Sequence, residues 1–301
     1  MASSESYSVG VDLGGTNIKT VVVSNEGELL EYTTSDTADA EGSWASTIKQ
    51  NLQRIQHERK STPGQIGIAA PGLAASDGRS IAHMRGRLNG LEGLVWTDFL
   101  ETPALVFVLN DAHAALLGEL WQGAAKGYRN VILLTLGTGV GGAVLADGRL
   151  LKGRIGRAGH LGHVTVNSEG PLDIVNMPGS LEQMIGNYNL RERSNDRFDS
   201  TRKLVEAHLA GDKEASDVWL RSIFHLAAAI ASFINAFDPE IVIVGGGIAK
   251  AGTALFDPLA SYLDRFEWRP MGHRVPIISA ELGEKAGAIG AAYHALLQNK
   301  S

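Results

Sequence analysis

Residues 9–23, Val-Gly-Val-Asp-Leu-Gly-Gly-Thr-Asn-Ile-Lys-Thr-Val-Val-Val, restrict the fold more than any other stretch of the chain. Two apolar runs flank Asp12-Leu13-Gly14-Gly15-Thr16, the pattern of a β-hairpin with a nearly bare tip. Without Cβ atoms at Gly14 and Gly15, an anion can approach the backbone N–H groups, and the turn is free to use positive φ. Thr16 and Asn17 add side-chain donors, and Asp12, closing the first run, is placed to meet a hydrated cation. The hairpin is therefore expected to hold phosphate. Taken alone, it also fits an ordinary Gly-Gly turn with a polar tip.

A second loop of this character spans 134–144 (LTLGTGVGGAV), and a third spans 241–247 (IVIVGGG). The middle loop contains Gly137-x-Gly139-x-x-Gly142, which satisfies the dinucleotide fingerprint letter for letter. That fingerprint needs a helix next, whereas here an apolar strand and the turn Asp147-Gly148 follow, so the dinucleotide reading fails. No G-x-x-x-x-G-K-[ST] occurs, which removes the ordinary P-loop. Two phosphate hairpins, each opening an α/β segment, resemble the layout of the actin-like (RNase H-like) ATPase superfamily, in which nucleotide lies in a cleft between two related lobes.

A chain of 301 residues can form one large or two medium domains. Its 36 glycines exceed the usual share of about 7%, and they cluster in loops flanked by Val, Ile and Leu, which favours backbone contact with a ligand over disorder. The formal charge of -6 comes without any Lys/Arg run, so nucleic acid is not an expected partner. With no cysteine, disulfides and thiolate metal sites are excluded. The start MASSESYS lacks a basic n-region and an apolar h-region, and the longest uncharged apolar-rich run, 226–237, is too short to span a bilayer. Cytoplasmic residence without a membrane partner is the expectation.

Along the chain, an amphipathic helix is read around Trp44 to Ile55, a strand at 66–70, a polar loop from Ser76 to Asn89, and a buried strand at 104–109 that delivers Asn110-Asp111 to the start of a helix. Beyond them come the second hairpin, a Gly- and His-rich segment at 150–166, and a loop from Asp173 entering a helix. Helices are read at 201–209 and 216–237, the latter ended by Asp238-Pro239, and an Ala-rich helix at 287–297 is expected to return to the first lobe. The predicted lobes are 1–115 with about 287–301, and 116–286.

Asp111 is the first choice for a catalytic base. Ligands of α/β sheets bind at the carboxyl ends of strands, and phosphoryl transfer needs mainly positioning, charge neutralisation and one group to accept the hydroxyl proton. The competing reading is a helix N-cap. Gly159-His160-Leu161-Gly162-His163 leaves three readings open: histidines hydrogen-bonded in a Gly-rich turn, an H-x-x-H metal pair, or recognition of a hydroxylated ligand. Glu182, opening a helix, is equally a dipole partner.

The set DLGGTNIK at 12–19, IAAPG at 68–72, NDAHAALLGE at 110–119, LTLGTGVGG at 134–142, AGHLGH at 158–163, GSLE at 179–182 and IVIVGGGIA at 241–249 closely resembles the ROK family of sugar kinases and sugar-responsive repressors, in order over nearly the whole chain. The resemblance implies an actin-like fold and phosphorylation of a hexose by ATP and Mg²⁺, usually at the 6-hydroxyl, with Asp111 as base. It implies sugar contacts from Asn110, His160, His163 and Glu182, with Asn89 a further candidate. It implies nucleotide contacts from Asp12, Gly14, Gly15, Thr16, Asn17 and Lys19, from Gly137, Thr138 and Gly139, and from Gly245, Gly246 and Gly247. A homodimer is also expected.

Two departures stand out. Where the family has its zinc motif C-x-C-G-x-x-G-C-L-E, this chain has Asp173, Val175 and Ser180 in place of the cysteines, so no structural zinc is expected. His160 replaces the glutamate of G-E-x-G-H, and an imidazole offers one acceptor and one donor where a carboxylate accepts twice, which leaves the sugar open. Glucose is the default, with mannose, fructose, allose and N-acetylhexosamines as alternatives, and polyphosphate is an alternative donor. The repressor branch carries a winged helix before the first hairpin; with the hairpin starting at Val9, the kinase branch is the expectation. The remaining alternatives are a catalytically silent sugar-binding member and a chaperone or filament ATPase.

Overall fold

The computed structural model describes residues 6–39, 43–84 and 86–298. The chain forms two compact α/β units: the first holds the chain up to Gly127 together with Lys152–Ala158 and the segment from Glu281 onward, and the second holds Tyr128–Leu151 and Gly159–Ala280.

In the first unit, β1 (Tyr7–Leu13) and β2 (Asn17–Ser24) form an antiparallel hairpin in which Asp12 faces Lys19 and Leu13 faces Ile18, and β3 (Leu29–Asp36) continues it. Then come α1 (Ser43–Arg59), β4 (Gln65–Ala70), the short β5 (Leu73–Ala74) and β6 (Ile81–His83), α2 (Trp96–Leu100), β7 (Leu105–Asn110) and α3 (Asp111–Gln122). The sheet order is β3-β2-β1-β4-β7, with the last three strands parallel. Every residue of β1 and β4 is buried, as a strand covered on both faces requires. α1 lays Trp44, Ile48, Leu52 and Ile55 on one face against this core.

The second unit runs β8 (Val131–Leu136), β9 (Val140–Ala146), β10 (Arg149–Leu150), α4 (Leu181–Ile185), α5 (Leu190–Arg193), α6 (Thr201–Leu209), α7 (Lys213–Phe237), β11 (Ile241–Gly245), α8 (Thr253–Phe266) and β12 (Ile277–Ser279). Its sheet order, β10-β9-β8-β11-β12, repeats the first sheet strand for strand: an antiparallel meander with two parallel strands added beyond its first member. α7 carries Trp219, Ile223, Leu226, Ala227, Ile230 and Ile234 into the core. Asp212 caps its start by accepting from the Ala215 amide, and Asp238, at φ 45°, ends it ahead of Pro239.

α9 (Ala286–Gln298) lies in the first unit, on β1, β4 and α3. Glycines permit that approach: a Cβ at Gly10 would lie 1.9 Å from the Ala288 carbonyl, one at Gly67 1.8 Å from the Ala291 carbonyl, and one at Gly118 2.3 Å from the Ala286 carbonyl. This contact moves the boundary. The units divide after Gly127, not at 115/116, because α3 is held along its length by α9, and Lys152–Ala158 returns to the first unit although the sequence put it in the second.

Two other expectations change. The polar loop 76–89 contains β6, paired with β5 and anchored by the fully buried Ile81. α7 starts at Lys213, three residues before the predicted Ser216, because the cap at Asp212 takes precedence over the first apolar residue.

Candidate active site

The first hairpin tip is closed by a hydrogen bond from the Gly14 amide to the Asn17 carbonyl (3.1 Å) and braced by Thr37, whose hydroxyl donates to the Gly14 carbonyl (2.7 Å). Neither Gly14 nor Gly15 uses positive φ, contrary to the expectation. At Gly14 glycine is needed for space, whereas at Gly15 a Cβ would only displace the end of a flexible side chain. A Cβ at Gly14 would stand 2.9 Å from the Asn17 carbonyl oxygen, and one at Gly15 would stand 2.5 Å from Nη1 of Arg87. Thr16 is exposed at the tip, with Asn17 and Lys19 partly exposed behind it.

Arg87 is a residue that the sequence reading missed. Its Nη2 donates to the Gly15 carbonyl, which puts a guanidinium over the bare hairpin tip. The loop that brings it there is pinned by Leu88, whose side chain is buried while its backbone takes a left-handed φ of 56° and its amide donates to Asp39 (3.0 Å). Such a conformation is costly for leucine and persists where packing enforces it. Asn89, one residue on, is exposed. No sequence signal marks Arg87, since its partner lies seventy-two residues away.

β7 delivers Asn110 and Asp111 side by side. Asn110, not Asp111, is the N-cap of α3: its Oδ1 accepts from the Ala112 amide (2.9 Å) and the His113 amide (3.2 Å), and its Nδ2 donates to the Gly72 carbonyl (3.0 Å). The same amide also acts on the neighbouring Asp111 carboxyl. Asp111 is the first helical residue, accepts from the Ala112 amide through Oδ1 (2.8 Å), and keeps a partly exposed edge. Burial, reinforced by the nearby Asp12 carboxylate, pushes its carboxyl up to about 6, against the opposing effect of the Ala112 amide and Asn110.

Asp12 is itself pushed up by burial, partly offset by Lys19, whose ammonium stands 3.2 Å from Oδ2. A Cβ at Gly287 would lie 2.8 Å from its Cγ, so the first turn of α9 closes over it. Asp12 is already paired with Lys19, and among the described residues no group of three or more His, Asp or Glu is arranged to hold a metal, so the residues fit at most a largely hydrated cation such as Mg²⁺ met by the Asp12 carboxylate.

In the second unit, the β8–β9 turn is closed by the Gly137 amide on the Gly139 carbonyl (2.9 Å), and the segment after α4 holds it: the Asn187 amide donates to the Gly137 carbonyl and the Tyr188 amide to the Thr138 carbonyl. Glu182 lies on this turn. Its Oε2 accepts from the Val140 amide (2.8 Å), and a Cβ at Gly139 would fall 2.2 Å from that oxygen. Burial pushes the Glu182 carboxyl up, against the pull of the Val140 amide and His163.

A cavity of about 550 Å³ opens beside the turn, lined by Gly137 and Thr138, by Ser200 and Thr201 at the start of α6, and by Gly247 and Lys250. Its floor is apolar, with Val205, Ile248 and Ala251. The third glycine loop reaches it through Gly247; Gly246, at φ 87°, packs where a Cβ would collide with Leu136 backbone at 2.3 Å, and Gly245 closes β11. Lys250 and the α6 cap residues are further site candidates. The Ser200-Thr201 cap signal and a lysine shortly after Gly-Gly-Gly could have pointed to them.

His160 and His163 bracket a 3-10 turn, Leu161–His163. His163 is oriented by Asp173: Nδ1 stands 2.9 Å from Oδ2 of a carboxylate whose side chain is wholly inaccessible. The other oxygen of Asp173 accepts from the amides of Val175 and Met177, both at 2.9 Å. Burial would raise this carboxyl, but the Met177 amide, His163, Ser180 and the Val175 amide together hold it below the usual carboxylate range. Asp173, at a position where the zinc motif has cysteine, is thus saturated by hydrogen bonds, and with Val175 and Ser180 it makes no donor set for zinc. With Nδ1 committed to Asp173, Nε2 is the other polar atom of the partly exposed His163 ring.

The repeated five-stranded sheets, each opening on a glycine-tipped hairpin, define an α/β protein of the actin-like ATPase class. The ROK family profile matches residues 8–298. The chain is 32% identical to a glucokinase of Halalkalibacterium halodurans, over 99% of this chain and 97% of that one. Among solved structures, a ROK hexokinase from Thermus thermophilus superposes with a TM-score of 0.86 at 32% identity, covering 98% of this chain and 99% of that one. A ROK family glucokinase from Streptomyces griseus, in complex with glucose and AMPPNP, superposes with a TM-score of 0.81 at 28% identity, covering 96% and 99%. The chain belongs to the ROK family.

Proposed function

We propose that this ROK-family carbohydrate kinase transfers the terminal phosphoryl group of ATP to the 6-hydroxyl of a hexose, glucose foremost, with Asp111 as general base. The observation that carries the proposal is the Asp111 carboxyl, at the carboxyl end of β7 with an open edge and a pKa pushed up to about 6, near the operating range a general base needs. Asp111 accepts the proton of the attacking hydroxyl. Asn110, His160, His163 and Glu182 hold the other hydroxyls, and Asn89 is a further contact. The 550 Å³ cavity takes adenosine on its apolar floor, with the Gly137-Thr138-Gly139 turn and the Gly245-Gly246-Gly247 loop against ribose and phosphate. The first hairpin, Asp12 to Lys19, takes the phosphates, with Arg87 adding positive charge at its tip. Mg²⁺, when held at Asp12, would supply charge neutralisation on the transferring group and leave Asp111 free to act as base. The glucose and AMPPNP of the Streptomyces griseus neighbour support this reading. A cytoplasmic homodimer is part of the same proposal.

The test is ATP consumption against a panel of hexoses, with Asp111→Asn beside the wild type. Hexose-dependent consumption that falls by ~10²–10⁴-fold in the variant is expected. No consumption with any hexose, or wild-type turnover in Asp111→Asn, overturns the assignment.

A further inference from the structure

The second unit holds another cavity, of about 450 Å³, within the roughly 300–1,000 Å³ range of small-molecule sites and lined by none of the residues assigned above. Its walls come from α4 (Gln183, Met184), from α5 (Arg193) and from one face of α7 (Arg221, Ser222, His225).

Arg193 organises it. Its guanidinium donates through Nε to Asn189 Oδ1 (3.1 Å), through Nη1 to Ser222 Oγ (2.6 Å) and through Nη2 to the Gly186 carbonyl (2.7 Å). All three acceptors are neutral. Among the described residues no carboxylate lies within ion-pair distance of Arg193 or of Arg221, although the exposed Glu192 and Asp217 also line the cavity. A largely buried guanidinium without a counter-ion is expensive in a folded protein, because burial penalises the charge and nothing opposite repays it. That burial draws the Arg193 pKa down to about 10, which still leaves it cationic at neutral pH. The same field is felt by His225, kept neutral first by burial and then by Arg221 and Arg193. Two guanidinium N–H groups of Arg193, the exposed guanidinium of Arg221, the His225 ring and the Gln183 amide surround the space, and the two carboxylates that also line it, Glu192 and Asp217, are exposed and, among the described residues, pair with neither arginine.

We propose that this cavity binds a small phosphate-bearing metabolite with hydroxyl groups, of the sugar-phosphate class, its phosphate held by Arg193 and Arg221. The site is wired to α4. Gln183 accepts from the Tyr188 hydroxyl through Oε1 and from Asn189 Nδ2 through its carbonyl, and Arg193 holds the Gly186 carbonyl that ends α4. Glu182, the neighbour of Gln183, rests on the Val140 amide. An anion that draws Arg193 toward itself therefore loads the element that carries Glu182, and occupancy should change hexose affinity, with hexose changing anion affinity by the same factor. This coupling rests on reading Glu182 as a sugar contact. The binding site does not.

The test titrates inorganic phosphate and a hexose 6-phosphate separately into the full chain, with no nucleotide or free hexose present, and maps protection by hydrogen exchange. The hexose 6-phosphate should bind saturably and more tightly than phosphate, with protection at 183–193 and 217–225, and Arg221→Glu should weaken it at least tenfold. Arg221 is exposed, so that substitution leaves folding intact, and Arg193→Lys, checked for an unchanged circular dichroism spectrum, should weaken binding likewise. Protection confined to 13–17 and 137–139, equal affinity in Arg221→Glu, or no binding of either ligand overturns the site. Cavity binding that leaves hexose affinity unchanged overturns the coupling.

Discussion

At the scale of single residues, the chemistry is set by carboxylates with different surroundings. Asp111 is buried beside another acid, so its proton is held more tightly in the folded chain, at about 6, than at the ordinary 3.8. The folded state therefore binds more protons than the unfolded one between those values, and wild-type stability declines as pH rises through that window. Asp111→Asn carries no such titration. Relative to wild type it should gain stability between pH 3.5 and pH 8, by on the order of 2–3 kcal/mol at most, since the exposed edge of Asp111 lightens the penalty. Chemical denaturation at the two pH values measures this, and an equal difference at both would remove the raised pKa. Asp173 is the opposite case, an ionised carboxylate stabilised by two amides and His163. In Asp173→Asn either the amides or the imidazole lose their acceptor. Hexose KM should rise about tenfold with kcat changed much less, because His163 loses its orientation while Asp111 is untouched. Steady-state kinetics that show a loss in kcat alone would place Asp173 elsewhere in the mechanism.

At the scale of elements, contact between α3 and α9 rests on the absence of side chains. A Cβ at Gly290 would lie 1.7 Å from the Ala114 carbonyl oxygen, backbone that cannot swing aside. Gly290→Ala should therefore destabilise the first unit by more than about 2 kcal/mol, although alanine is the better helix former, because overpacking outweighs propensity. Thermal unfolding tests it, and a raised Tm would mean that the helices part easily. α9 also carries His294, buried against Phe107 and drawn down to about 4 by burial, then by Lys152 and His113. Unfolding frees a histidine that protonates near 6.5, so this residue's contribution is intact above 6.5 and lost as pH falls toward 4, on the order of 3 kcal/mol in all. His294→Leu should flatten the acid side of the stability profile. Much of this was legible: glycine clusters between β-branched runs marked the hairpins, and the alternation of strands and helices marked the α/β class. What stayed hidden depended on partners distant in sequence. β6 is anchored by Ile81, in a segment that is polar apart from a few residues such as Leu88, and α9 reads as an Ala-rich helix without any sign that its alanines face the glycines of β1 and β4. Arg87 and the Asp173–His163 pair escaped for the same reason, since residue type gave no hint of whose carbonyl or imidazole each would meet.

At the scale of the whole molecule, each unit has its own apolar core and its own glycine loops. The cavity proposed for adenosine is lined wholly by residues of the second unit, whereas the Asp12–Lys19 hairpin belongs to the first. Adenosine alone should then slow hydrogen exchange only around 137–139, 200–206 and 247–251, and AMPPNP should extend protection to 13–17. Equal patterns for the two ligands would deny the first hairpin its phosphate role. The interleaving of the chain bears on biosynthesis as well. The sheet of the first unit is translated early, yet the helix that covers β1 and β4 is encoded after all of the second unit, so at about 5–20 residues per second the early sheet waits on the order of ten seconds or more for its cover. During that interval Gly10 and Gly67 leave a bare groove of backbone on a nascent chain, and the unit completed first on the ribosome is the one that begins second.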